Sequence, residues 1–314
     1  MLSSPQLRYS SFTRTEWSGL RDHDDKIRLD AHRIEALKSI HDSLTNEDVL
    51  EIYLPLIRYI ELHVEAAHAR TLATAKFLRV DWKREPFVIG LAGSVAAGKS
   101  TVARVIEEIL SHPRRGLKVA LVTTDGFIYP GQILEARGLM QRKGFPESYD
   151  RRMFVDFLSA VKNGEPQVEA PVYSHVKYDR VPDESAWIEQ PDLLIVEGLN
   201  ILQPPPPDRD PDRRFASDFI DLSVYVHAEE PLLKSWYIER FLGLRRTVFS
   251  NPDSHFRRYA GLSDTEAIAT ASEIWETING RNLVENILPT RYRADVILNK
   301  GPQHRIETVQ VMNR

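Results

Sequence analysis

The feature that most limits what this chain can fold into is an octapeptide, Gly93-Ser94-Val95-Ala96-Ala97-Gly98-Lys99-Ser100. It satisfies G-x-x-x-x-G-K-[ST] at every fixed position, which roughly one chain in a hundred of this length would do by accident. Its surroundings make accident a poor explanation. Phe87-Val88-Ile89-Gly90-Leu91-Ala92 in front of it is a continuous apolar run, as a buried parallel strand requires. Behind it, Val102, Val105, Ile106, Ile109 and Leu110 fall on one stripe and predict a helix over 100–111. Strand, glycine-bearing turn and helix start bring backbone N–H groups and the positive end of the helix dipole to one point, a site suited to phosphate. In such a cradle Lys99 reaches the outer phosphates, and the Ser100 hydroxyl, followed by Thr101, is placed to hold Mg2+. The pattern implies a nucleotide site but not the reaction done there.

Further apolar runs at 118–124 (KVALVTT), 192–197 (DLLIVE) and 220–226 (IDLSVYV) predict more buried strands, with 295–298 and 309–311 as edge strands. Strands alternating with helical patterns predict an α/β fold: a doubly wound, mainly parallel sheet with helices on both faces. The region before Pro86 reads as helical instead. There Val49, Ile52, Tyr53, Leu56, Ile57, Ile60 and Val64 recur at helical spacing. Pro55 inside that pattern predicts a break, with a new helix starting near Leu54. The expected organisation is one structural domain, with a helical extension (1–85) packed on a core (86–314). Two stretches interrupt the core: 128–149, rich in Gly, Pro and charge, reads as a long functional loop with some helix. The stretch 204–214 (PPPPDRDPDRR) reads as stiff, extended polyproline-like chain.

Composition removes several classes of function. With 41 Lys+Arg against 45 Asp+Glu the net charge is −4, without the cationic surplus that coating a nucleic acid demands. The absence of cysteine excludes disulfides, thiol nucleophiles and Cys-type zinc sites, and no H-E-x-x-H pattern occurs. Residues 1–11 lack the basic start and apolar core of a secretion signal, and no apolar run approaches the ~20 residues that span a bilayer. A soluble, cytoplasmic protein with neither nucleic acid nor membrane as partner is expected.

Reaction chemistry must come from other strand ends, because ligands of open α/β sheets lie outside the carboxyl ends of the strands. Asp125 follows the strand at 118–124 and could accept a hydroxyl proton or join a metal shell, although an Asp-Gly turn needs no such role. Glu197 ends the next strand, the position of a second metal-site carboxylate. Tyr237 and Arg240, three apart on a predicted helix over 231–244, share a face. Arg240 could close over a γ-phosphate or simply pair with Glu239 or Glu230. Tyr173, His175 and Tyr178 cluster in a Pro-flanked loop, as substrate contacts or as surface packing.

Longer strings carry a family resemblance. GSVAAGKST (93–101), VTTDGF (122–127), RKGFPESYDRR (142–152), APVYSHVKYD (170–179), PDLLIVEGLNILQ (191–203), WYIERFL (236–242), PDSHFRRYA (252–260) and NLVENILPTRYRA (282–294) resemble the bacterial type I pantothenate kinases. The likeness runs from about Arg8 to Met312. It implies a P-loop kinase that moves the γ-phosphate of ATP to the primary hydroxyl of pantothenate, the first step towards coenzyme A. By the resemblance, Asp125 is the base, Lys99 and Arg240 stabilise the migrating phosphoryl group, and Ser100 helps to hold Mg2+. Tyr173, His175, Tyr178, Tyr237, Tyr259 and Asn279 surround the acceptor. CoA competes with ATP through Lys99, Arg104 and His175, and His304 sits near the adenine. Homodimers form by packing of the long helix after the P-loop.

The chain departs from the family at Leu244, where an aromatic packs on CoA in well-known members, which implies weaker inhibition. His41 replaces an asparagine near adenine in some relatives, and the 204–214 segment is longer and more polar. Two other readings remain: a P-loop kinase of the uridine kinase or phosphoribulokinase kind, or a binding module gated by nucleotide.

Overall fold

The computed structural model describes residues 8–22, 24–25, 27–39, 42–81, 85–205 and 214–313. His41 and most of the proline-rich segment (206–213) lie outside them. Nine strands are present among these residues: β1 (Tyr9–Thr13), β2 (Phe87–Gly93), β3 (Val119–Thr123), β4 (Val168–Ser174), β5 (Asp179–Ile188), β6 (Leu193–Glu197), β7 (Leu222–His227), β8 (Val296–Lys300) and β9 (Ile306–Met312). Seven of them make one sheet in the order β1-β9-β8-β7-β2-β6-β3. From β3 to β8 every pairing is parallel, and β9 and β1 close one side antiparallel. The mainly parallel α/β sheet is as the sequence predicts. β2, β6 and β7 are buried at every residue, which explains why they read as unbroken apolar runs rather than alternating ones.

Three expectations need correction. First, β8 and β9 are not the edges: β8 lies between β7 and β9, and β1 covers β9. β1 comes from the region expected to be helical. Its YSSFT sequence buries only Tyr9, whose hydroxyl donates to the Ala294 carbonyl at 2.7 Å, so tertiary pairing makes the strand. Second, the loop expected around Tyr173, His175 and Tyr178 is a hairpin, β4–β5, with a register shift between Pro171 and Tyr173. A proline is tolerated there because the pair forms a separate two-stranded sheet with no third strand to satisfy. Third, the long helix, Leu54–Leu78, precedes the glycine-rich turn; the helix after it, Lys99–Leu110, is shorter and has its apolar face buried.

Pro55 does mark a change, and a new segment starts at Leu54, but the chain does not break. A helical turn at Asn46–Asp48 runs through a π turn, Val49–Tyr53, into Leu54–Leu78, with the Leu54 N–H donating to the Val49 carbonyl. The wide turn absorbs the donor that proline lacks. Trp17 Nε1 donates to the Ile52 carbonyl there, at 3.0 Å.

The main apolar core runs continuously from Tyr9 and Trp17 through the long helix and sheet to Val309. A smaller cluster of Phe241, Phe249, Ala267 and Ala271 sits apart, with Tyr237, Leu244, Phe256 and Tyr259 packed on it. It joins the helices Glu230–Arg246 and Asp264–Ile274. Leu244 thus has a packing role in that cluster. Among the described residues no helix is long and apolar enough to cross a membrane.

Candidate active site

β2, β6 and β3 run side by side and parallel, so their carboxyl ends come out on one side of the sheet. β2 ends at Gly93, and the turn after it passes through Ser94, Val95, Ala96 and Ala97 to Gly98, which caps the Lys99–Leu110 helix. Gly98 has φ +85°, and a Cβ there would lie 2.6 Å from Lys300 Nζ and 2.7 Å from Asp42 Oδ2. Only glycine meets both conditions.

Lys99 is buried, and its Nζ donates to the Ser94 carbonyl at 2.8 Å and stands 3.7 Å from Glu197 Oε1. The Ser100 hydroxyl donates to the other oxygen, Oε2, at 3.0 Å. One carboxylate at the end of β6 therefore faces both the lysine and the serine of the cradle. A hydroxyl and a carboxylate are hard oxygen donors of the kind that Mg2+ takes. Burial pushes the Lys99 ammonium below the usual lysine range; the charges of Glu197 and Asp125 oppose that, and Arg240 adds to it. Those charges tie Asp125 and Arg240 to the cradle. Neither Glu239 nor Glu230 pairs with Arg240 among the described residues.

Thr101 and Arg104 face the N-terminal segment. The Thr101 hydroxyl accepts from the Ser39 N–H at 3.0 Å, and Arg104 donates to the Leu37 carbonyl at 2.8 Å and to Ser39 Oγ at 2.9 Å. His304 stacks on Trp236, with ring centroids 4.0 Å apart, beside the buried Lys300–Asp42 pair at 2.9 Å. That pair meets the cradle at Gly98.

Asp125 lies in a 3-10 turn, Thr124–Phe127, at the end of β3. Gly198, next to Glu197, lets the two acidic turns approach: a Cβ on it would run into the Thr124 hydroxyl. On the far side of Asp125 are phenols. Burial raises Tyr173, Tyr149 and Tyr178, the last to about 12, and the Asp125 charge pushes each the same way. Tyr237 is also raised by burial and is hydrogen-bonded to Asn279. Tyr173 and Tyr178 stand edge-on at 6.4 Å, and Tyr178 packs on Phe256 at 4.7 Å. Tyr259 stacks on Phe256 in the smaller apolar cluster. His175 is exposed on the hairpin turn, edge-on to Tyr173 at 5.3 Å.

The sequence reading missed Lys143. Its ammonium is 4.1 Å above the Tyr178 ring and 5.2 Å above the Tyr173 ring, and it donates to the Tyr178 carbonyl. Burial holds it below the usual lysine range, against the charges of Asp179 and Asp125. A single lysine has no spacing to reveal it, although it stands in the quoted string 142–152. Tyr149, in the same string, and the Asp42–Lys300 pair were missed for the same reason.

A phosphate cradle with a buried lysine, a serine–carboxylate pair and a second carboxylate at the next strand end are the parts of a P-loop kinase. Residues 88–245 match the model of the Phosphoribulokinase / Uridine kinase family. The chain is 52% identical over 302 residues to the pantothenate kinase of Shewanella pealeana, across 96% of this chain and 95% of that protein. It is 50% identical over 311 residues to that of Sodalis glossinidius, across 99% and 98%. It is likewise 50% identical over 307 residues to that of Brevibacillus brevis, across 96% and 95%. Among solved structures, the YGR205w protein matches with a TM-score of 0.55 at 14% identity, over 82% of this chain and 99% of that one. A D-glycerate 3-kinase from Cryptococcus neoformans gives 0.52 at 13%, over 80% and 97%. These two likenesses speak for the fold alone. The chain belongs to the phosphoribulokinase/uridine kinase family of P-loop kinases and, within it, to the pantothenate kinases.

Proposed function

We propose that this chain phosphorylates the primary hydroxyl of pantothenate with ATP and Mg2+, opening the route to coenzyme A. What supports the reading most is the strand register, which sets Thr123, two residues before Asp125, beside Glu197, the carboxylate that faces Lys99 and Ser100. Family membership at about half identity over nearly the full chain names the acceptor.

Asp125 is the base of this reading. The hydroxyl oxygen forms a bond to the γ-phosphorus as its proton passes to the carboxylate, and the bond to the ADP oxygen breaks. Lys99 and Arg240 meet the charge that spreads over the transferring group. Ser100 and Glu197 would hold Mg2+, which would supply positive charge beside the phosphate oxygens. Lys143 balances the negative charge beside Asp125. Buried phenols at Tyr173, Tyr178 and Tyr237 stay protonated at neutral pH, so they offer neutral hydrogen bonds to the hydroxyl, amide and carboxylate of the acceptor. His175, Tyr259 and Asn279 complete that wall.

Feedback by CoA in competition with ATP, through Lys99, Arg104 and His175, belongs to the same proposal, as do His304 beside the adenine and a cytoplasmic setting. A homodimer fits the long helix, which exposes Leu62, Leu72 and Phe77. ADP release with pantothenate, uridine and ribulose 5-phosphate in parallel tests the assignment: turnover of pantothenate alone is expected, and turnover of uridine without pantothenate overturns it. Stabilisation by CoA in a thermal melt is the expected sign of feedback binding.

A further inference from the structure

Three of the sequence strings meet at one atom, the carbonyl oxygen of Gly144. Asn200, on the loop that follows Glu197, donates its Nδ2 to it at 3.0 Å. Asn282 donates its Nδ2 to the same oxygen at 2.9 Å. Asn282 is only 4% exposed, and its Oδ1 accepts from Asn286 Nδ2 at 2.9 Å. Gln203 Nε2 then donates to the Asn286 carbonyl at 2.7 Å. Buried amides are costly unless their donors and acceptors are matched, and here they are matched to each other and to two backbone oxygens, those of Gly144 and Asn286.

Neutral amides around a carbonyl offer no reaction chemistry; they fix a position. The residue before that carbonyl is Lys143, with its ammonium over the Tyr178 and Tyr173 rings. Asn200 hangs from the strand end that carries Glu197, so it reports the metal side of the site. Asn282 follows Asn279 by three residues on one helical face, and Asn279 holds Tyr237. π turns at Trp275–Asn279 and Leu283–Ile287 flank Asn282 on this helix.

We propose that Asn200 and Asn282 are positioning residues that act through Lys143, clamping the Gly144 carbonyl so that the acceptor wall keeps register with the metal-side loop. The inference deepens the functional reading above and rests on it. In Asn200→Ala and Asn282→Ala the KM for pantothenate should rise about tenfold, with the KM for ATP changed by less than about twofold. Asn282→Asp, equal in shape but unable to donate, should lose as much as Asn282→Ala. In a Lys143→Met background, Asn200→Ala should add nothing further. Additive losses in that double variant, or an ATP KM that moves with the pantothenate KM, overturn the clamp.

If Asn282 variants fail to fold in a thermal melt, the half-buried Asn200 carries the cycle alone. A substrate-free readout separates this idea from the functional one: acetylation of Lys143 by limiting acetic anhydride, followed by mass spectrometry. Faster labelling in Asn200→Ala than in wild type supports the clamp, and equal labelling overturns it. A wild type that ignores pantothenate overturns the functional reading and leaves the labelling result to decide the clamp.

Discussion

The two ends of this site are built by different rules. The nucleotide end is local: one strand, one turn and one helix start supply Gly93 to Ser100 in unbroken sequence, and β6 adds Glu197. The acceptor end is assembled from distant pieces: the turn after β3, the segment around Lys143 and Tyr149, the β4–β5 hairpin, and the helices that carry Tyr237 and Asn279. The first is embedded in a sheet whose central strands are wholly buried. The second leans on the small cluster around Phe241 and Phe249. A chain can thus hold phosphate binding constant and alter the acceptor by repacking one satellite, without touching the sheet.

The largest effect expected separates the two ends outright. Asp125→Ala should lower kcat by ~10²-fold or more while the ATP-induced rise in melting temperature stays as in wild type. Near-normal turnover in that variant would remove the base from the scheme. Lys99→Met should act on the other end: kcat/KM for ATP falls ~10²-fold, and nucleotide and CoA stabilisation are both lost in the same melt. CoA binding that survives would mean that the inhibitor does not share the cradle.

Gly198→Ala should breach the division, because its Cβ would displace Thr124 at the root of Asp125 while shifting Glu197. A destabilisation of about 1–3 kcal/mol and a rise in both KM values are expected, measured by chemical denaturation and steady-state kinetics. Tyr237→Phe is milder, raising only the pantothenate KM by about three- to tenfold through loss of its bond to Asn279.

The smallest effect is in pH. The Lys143 ammonium is held below the usual lysine range, so acceptor affinity should weaken on the alkaline side before an ordinary lysine titrates, and Lys143→Met should lack that flank. The sign for stability is opposite. Between the lowered folded value and the ordinary unfolded one, the unfolded chain binds the extra proton, so this group's contribution makes the fold more stable as pH rises through that window. Urea titrations of wild type and Lys143→Met across the window check it.

Legibility followed the same divide. The octapeptide, the buried strands β2, β6 and β7, and the acids closing β3 and β6 were all readable, because parallel strands and phosphate cradles impose residue types on consecutive positions; β3 was read as a strand too, but as a buried one, whereas it ends the sheet with only Val122 buried. The edge strand β1 was not, since YSSFT has no strong pattern and becomes a strand by pairing with β9 some three hundred residues later. Nor was the hairpin, where Pro171 argued for a loop. Pro55 was read correctly as a boundary, but whether the chain kinks or widens depends on what packs beside it, and Trp17 stands there.

The amino-acid order by itself determined that this chain grips a nucleotide tail in a parallel sheet, because that contact is made by backbone amides whose geometry follows from neighbouring residues. Only the tertiary structure decided where Lys143, Tyr149, Asn200 and Asn282 come to lie. Their roles arise from long-range packing and from burial, which changes the charge and hydrogen-bonding demands of ordinary side chains, and neither leaves a periodic trace in the chain.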